Sequence, residues 1–274
     1  MIIDIHVHIG RLSHGVPPLS AGRLVRQMDT WGIEKAIVLP IENPEEVDYY
    51  VTTEEVLRKC KRYPDRLVPF CNADPRRRYP GRFNPKPILE RYIEMGAKGF
   101  GENLAGLPVD DPMNQIMYGA CGELGLPITM HFDSWINRDE PGLPGFEKML
   151  KQFPDTVFLA HGPHWWREIS KNEDSDAGYP KGKVRRGGRC EKLLKKYDNL
   201  YGDLSAGSGY NAISRDPTYG PGFLERCADK LLFGTDFLTP KQKCPIVEHF
   251  RTVKIPKRAK EKILHRNARK LLRL

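Results

Sequence analysis

The sequence of 274 residues lacks any apolar run long enough to span a membrane, and its longest apolar stretches are strand-sized. It also lacks a C-x-x-C pair, because its six cysteines (Cys60, Cys71, Cys121, Cys190, Cys227 and Cys244) stand singly. That argues against a disulfide scaffold and for reduced thiols. The first apolar run starts at Ile2 and leaves no room for a secretory signal, so a cytoplasmic location is expected. No G-x-G-x-x-G and no P-loop follows that run, which counts against an open nucleotide-binding sheet. Internal repeats and low-complexity linkers are missing too, so residues 1–274 are expected to form one domain.

A one-sided charge distribution is present, but it is local. The net charge is +9, and residues 251–274 carry ten Lys or Arg against Glu261 alone. Residues 1–250 therefore balance, with 34 basic against 34 acidic side chains. A nucleic-acid-binding protein using this tail is the rival from another functional class. Ile263, Leu264, Ala268, Leu271 and Leu272 form a helical stripe suited to docking, and no aromatic residue interleaves with the cations to stack on bases. The tail reads as a docked helix with a solvated basic face, and nucleic acid is not expected as a partner.

Short β-branched runs recur at 2–8, 36–40, 67–74, 98–103, 127–133, 157–161, 200–205 and 231–237. Segments of helical periodicity lie between them, such as 53–63, 87–95 and 112–124. Eight strands alternating with helices, roughly thirty residues apart, match a single (β/α)8 TIM-type barrel of the α/β class.

Barrel enzymes build their sites at the C-terminal ends of the strands. The expected ends carry His6 and His8, Glu102, His131, His161, Asp203 and Asp236. Residues i and i+2 share one face of a strand, so His6 and His8 can point into one barrel mouth. An isolated H-x-H is only a polar pair on a half-exposed strand. With His131 and Asp236 at other strand ends, it becomes an N/O set suited to zinc or a similar divalent ion.

These motifs resemble the amidohydrolase superfamily, over nearly the whole chain. The resemblance rests on DIHVH at 4–8, His131, His161 and the Thr235–Asp236 pair. The ending KILHRNARKLL resembles the amidohydrolase-related branch that includes aminocarboxymuconate-semialdehyde decarboxylase. The resemblance implies His6, His8, His131 and Asp236 as metal ligands and His161 as a catalytic group. Where two-metal relatives carry a carboxylated lysine, this chain has Glu102, which is expected to ligate or bridge. The alternative is a supporting carboxylate paired with Lys98. One or two ions per chain are expected, zinc first and manganese as the alternative.

Such a site makes hydroxide available at neutral pH, with Asp236 accepting the proton of the activated water and His161 polarising a carbonyl or passing the proton on. The expected activity is hydrolysis of an amide, ester or lactone, with non-oxidative decarboxylation as the alternative. The segment 179–189 carries five cations, no anion and three glycines, so Lys181 and Lys183 are candidates for an anionic substrate. Arg138, His164, Trp165 and Asp203 complete the candidate substrate groups, Arg138 because a guanidinium binds a carboxylate bidentately. The expected partner is a small, anionic substrate molecule; no membrane is expected, and a homo-oligomer is compatible with the sequence.

Overall fold

Strands and helices alternate from the first residues to the last. The computed structural model describes residues 1–11, 15–45, 49–78, 82–173 and 177–274. Asp174 and Asp176, acidic residues shortly before the cationic segment, lie outside the described residues, as does His14. The strands are β1 (Ile3–Val7), β2 (Lys35–Val38), β3 (Leu67–Pro69), β4 (Phe100–Asn103), β5 (Ile128–His131), β6 (Phe158–His161), β7 (Leu200–Asp203) and β8 (Leu231–Leu232). Between and after them run α1 (Ala21–Trp31), α2 (Thr53–Cys60), α3 (Lys86–Glu94), α4 (Pro112–Leu124), α5 (Pro144–Gln152), α6 (Pro163–Arg167) and α7 (Arg189–Lys196). Then follow α8 (Ala206–Ser214), α9 (Gly220–Arg226), α10 (Pro245–Thr252), α11 (Lys257–Glu261) and α12 (Asn267–Leu272). No helix among the described residues is long and apolar enough to cross a membrane.

Local chemistry starts these helices where the sequence suggests. Thr52 accepts the amide of Glu55 ahead of α2. Asp111 accepts that of Met113 ahead of α4, whose first residue is Pro112.

All strand pairs are parallel and lie in chain order, β1-β2-β3 in one ladder and β4-β5-β6-β7-β8 in another. Single parallel bridges span the two seams, Cys71 with Phe100 and Val7 with Phe237. The arrangement is that of a (β/α)8 barrel in which the seams carry bridges instead of continuous ladders. All eight strands are shorter than the sequence pattern implies, β3 and β8 most of all. After Leu232 the chain bends to present Asp236 at a φ of 53°, which no strand accommodates. After Pro69, the Asn72 amide bonds the Thr53 hydroxyl in place of a neighbouring strand.

An inner apolar layer fills the bottom of the barrel: Ile3, Ile5, Ile37, Leu39, Val68, Phe70, Leu159 and Leu232. Ala268 and Leu272 of α12 close it from below. Val7 and Ile9 belong instead to the outer core under the helices. The inward side of β1 thus switches from odd to even residues, because the register with β2 slips by one residue between Asp4 and Val7. A similar slip against β5 lies between Phe100 and Asn103 of β4. One extra residue re-aims the side chains that follow it. The two strands that change register are those bearing His6, His8 and Glu102.

The basic C-terminal segment docks as expected. Ile263 is fully buried and its carbonyl accepts the Phe233 amide, while Asn267 Nδ2 donates to the carbonyls of Ala228 and Leu231. Ile263→Ala is expected to lower stability by about 2–5 kcal/mol in urea unfolding. Exposed Arg269→Ala should stay within about 0.5 kcal/mol. Equal, small effects would show that the segment is a loose basic arm.

Candidate metal centre

Above the apolar layer, the inward side chains turn polar and converge. Each imidazole of β1 is locked from behind. His6 Nδ1 donates to Asp203 Oδ2 at 2.7 Å, and His8 Nδ1 donates to the Leu39 carbonyl at 2.8 Å. An acceptor on each Nδ1 fixes the proton there and turns each Nε2 inward. The two Nε2 atoms are 3.1 Å apart, and Glu102 Oε2 lies 3.3 Å from both. Asp236 Oδ1 is 3.7 Å from His6 Nε2 and 3.4 Å from His8 Nε2. Ligand atoms about 2.0–2.2 Å from one ion stand about 3.0–3.6 Å from each other, so these spacings fit a shared cation.

Glu102 divides the site in two. Its Oε2 faces His6 and His8, while its Oε1 is 2.9 Å from His131 Nδ1 and 3.7 Å from His161 Nε2. Its expected alternative partner, Lys98, is solvent-exposed, so that pairing does not form. His131 therefore lies across Glu102 from the His6–His8 pair, with its Nε2 3.2 Å from Asp133 Oδ2. His6, His8 and Glu102 make one group able to hold a metal, and Glu102, His131 and His161 make another.

The electrostatics call for positive charge. Burial opposes protonation of His8, yet bonds to Asp236 and Glu102 raise its pKa to about 9. Burial likewise works against His131, which Asp133 and Glu102 lift to about 10. Burial would push Glu102 up, but His6 and the bonds from His131, His6 and His8 hold it well below the usual carboxylate range. His161 goes the other way. Burial and the neighbouring His6 lower it to about 4, and its Nδ1 lies 2.9 Å from Ser205 Oγ. With neutral imidazoles, the carboxylates of Glu102, Asp133, Asp203 and Asp236 leave an excess of negative charge that a divalent cation would offset.

Backbone geometry sets these side chains precisely. Asp4, buried on the other side of β1, accepts the hydroxyl and amide of Thr235 at 2.6 and 2.9 Å. The Asp236 amide donates to the His6 carbonyl, and Gln242 Nε2 donates to the Asp236 carbonyl at 2.7 Å. Gly101, immediately before Glu102, has a φ of 118°, and a Cβ there would lie 2.7 Å from the Thr129 carbonyl. Gly162, immediately after His161, has a φ of 98°, and a Cβ would meet the Phe132 backbone at 2.7 Å.

Among the candidate substrate groups, Arg138 and His164 line a cavity of 680 Å³ with Asp133, Ser134, Asp139 and Lys148. Asp133 joins this cavity to His131. Two expectations are corrected. Asp203 is fully buried behind His6, so it orients that imidazole and cannot reach a substrate. Trp165 is fully buried against Phe146 and Trp166, so it packs the core and walls no opening. The segment carrying Lys181 and Lys183 is exposed, and two of its arginines turn elsewhere. Arg185 donates to the Asn172 carbonyl, and Arg189 pairs with Glu147 and bonds the Gly142 carbonyl. Among the described residues, none of its cations bonds the histidine cluster. Asp133 and Ser205 escaped the sequence reading. Asp133 follows His131 by two residues, the same spacing that singled out His6 and His8.

The model of a family described as amidohydrolase matches residues 3–274. A search of curated proteins gives no match. Several solved structures share the fold. A TIM-barrel protein from Bordetella bronchiseptica is 20% identical with a TM-score of 0.73, over 99% of this chain and 98% of that one. A protein assigned as a 2-pyrone-4,6-dicarboxylic acid hydrolase from Pseudomonas putida is 17% identical with a TM-score of 0.67, over 99% and 97%. A 5-carboxyvanillate decarboxylase from Novosphingobium aromaticivorans, complexed with manganese and 4-hydroxy-3-methoxy-5-nitrobenzoic acid, is 16% identical with a TM-score of 0.65, over 100% and 96%.

The backbone at Gly101 yields a test independent of chemistry. Gly101→Ala combines a left-handed backbone with a clash against Thr129, and should destabilise the fold by about 2 kcal/mol or more in urea unfolding. A change below about 0.5 kcal/mol would show that the approach of β4 to β5 is looser than described.

Proposed function

The chain belongs to the amidohydrolase family, and from that premise we propose that it is a metal-dependent hydrolase of small, carboxylate-bearing molecules. The bond cleaved is an amide, ester or lactone. His6, His8, Glu102 and Asp236 would hold the first ion, and His131, beyond Glu102, would hold a second with it. The imidazoles suit zinc, and the number of carboxylates makes manganese the alternative. When bound, a divalent ion polarises a substrate oxygen and brings the pKa of a water toward ~7.

The observation that carries hydrolysis is the placement of Asp236. Its side chain is 20% exposed, against 6% for Glu102, so it borders both the ion position and incoming water. Asp236 accepts the proton of the attacking water and returns it to the leaving group. His161, with Nε2 on the Glu102 side, relays that proton. Arg138 and His164, along the cavity that Asp133 joins to His131, hold the substrate carboxylate and its body. Lys181 and Lys183 sit on an exposed segment, where they would act only on a substrate still approaching.

A second reading is decarboxylation, favoured by the fold shared with the 5-carboxyvanillate decarboxylase. There the carbon–carbon bond to the carboxylate breaks, its electron pair stays on the substrate carbon, and Asp236 delivers a proton to that carbon. The products separate the two. Hydrolysis adds water to the substrate and decarboxylation releases carbon dioxide. A screen of lactones, amides and cyclic carboxylic acids, read by mass spectrometry, is expected to show addition of water. Carbon dioxide release would replace this reading with the second.

Variants test the assignments. His6→Ala and His8→Ala should each lose bound metal by elemental analysis, while His161→Asn keeps an ion and loses turnover by ~10²-fold or more. Metal loss in step with activity in His161→Asn would make it a ligand. Arg138→Ala should raise KM for a carboxylate substrate far more than for a neutral analogue, and equal effects would remove Arg138 from substrate recognition.

A further inference from the structure

Glu102 is the residue on which both halves of the centre depend, yet its backbone amide donates at a long 3.3 Å to the Pro40 carbonyl and not to β5. The register of β4 against β5 slips between Phe100 and Asn103, across Gly101 and Glu102. Two buried side-chain amides take over. Asn72 Nδ2 donates to the Glu102 carbonyl at 2.7 Å and to Asn43 Oδ1 at 3.1 Å. Asn137 Nδ2 donates to the Asn103 carbonyl at 2.8 Å and to the His131 carbonyl at 2.9 Å. Consecutive carbonyls, those of Glu102 and Asn103, are thus gripped by amides from two different elements.

Both amides are themselves fixed. The Asn72 backbone bonds the Thr53 hydroxyl through its amide and its carbonyl, at 2.9 and 3.1 Å. Asn43 accepts the Leu104 amide at 3.0 Å and donates to Asp74 at 2.7 Å. Asn137 accepts from Asn114 Nδ2 at 3.2 Å, and its own amide donates to the Ala105 carbonyl at 3.0 Å. Asn43, Asn72, Asn114 and Asn137 are all completely buried. A buried amide that spends its donors on strand-end carbonyls does the work of a ladder bond and adds an anchor to a second element.

We propose that Asn72 and Asn137 are positioning residues that aim the Glu102 carboxylate between the two groups of histidines, Asn137 tying His131 to the same frame. The inference rests on the reading of this cluster as a metal centre. Supports of this kind set ligand geometry without touching the ion, and their removal typically weakens metal binding by about 10- to 100-fold.

Asn199 provides the control. It is also buried, and its Nδ2 donates to the carbonyls of Leu150, Phe153 and Thr156, where α5 leads into β6, at the opposite end of the strands. Metal-free wild type, Asn72→Ser, Asn137→Gly and Asn199→Ser would each be titrated with Zn2+ and Mn2+ by calorimetry, with thermal unfolding measured alongside. Asn137→Gly suits the left-handed backbone at that position, where φ is 43°, and so removes the amide without straining the turn. The expected result is a metal affinity about 10- to 100-fold weaker in Asn72→Ser and Asn137→Gly. Asn199→Ser should lose stability but keep the wild-type affinity. Wild-type affinity in both site variants, or an equal loss in Asn199→Ser, would overturn the proposal and leave the metal centre standing. A wild type that binds neither ion would overturn the metal centre and this proposal with it. If Asn72→Ser fails to fold, Asn137→Gly decides by the same criteria.

Discussion

A carboxylate almost shut off from water, with imidazoles on both sides, is the constraint around which this barrel is organised. Glu102 offers one oxygen to His6 and His8 and the other to His131 and His161. Removing a carboxylate from water costs several kcal/mol unless positive charge and hydrogen-bond donors meet it. Here the imidazoles meet it, but two of them turn toward each other with their protons held at the far nitrogen. That leaves the middle of the cluster rich in lone pairs. A cation satisfies all of these groups at once, which neither a single proton nor a hydrogen bond does.

The rest of the fold can be understood as the frame for that cluster. The inner barrel has an apolar floor and a polar upper storey, and the change between them requires more than strict alternation. One extra residue in β1 lets Ile3 and Ile5 line the floor while His6 and His8 still point inward above them. One extra residue in β4 does the same for Glu102 and at the same time interrupts the bonds that would hold it. Asp4 faces away from the cluster but fixes Thr235, and through it the turn that presents Asp236. The positive φ at Asp236 is tolerated because the surrounding hydrogen bonds specify it.

Much of this was legible in the residues. The alternation of β-branched runs with helical periodicity gives the barrel, and the strand ends give His6, His8, Glu102, His131, His161 and Asp236. Those signals are strong because each strand end has one place in the fold. What failed to show was whatever depends on neighbours across the barrel. Asp203 ends its strand like the others, but β7 delivers it behind His6. The cations between Lys181 and Arg189 look like an anion-reading loop, yet Arg189 is taken by Glu147 on α5, far away in sequence. Asparagines that bond backbone carbonyls carry no spacing pattern at all. Their partners are chosen by the register slip, and a slip leaves no mark in a periodicity of two.

The most direct test of the central claim is an anomalous difference map, collected at the zinc and manganese absorption edges from crystals of the protein as purified. The account predicts a peak within bonding distance of His6 Nε2, His8 Nε2 and Asp236, with Glu102 as the carboxylate that a second peak, near His131, would share. No anomalous peak at either edge, with the two Nε2 atoms still facing each other and Glu102 still between the imidazoles, would contradict it. The cluster would then be a protonated charge network and not a metal centre.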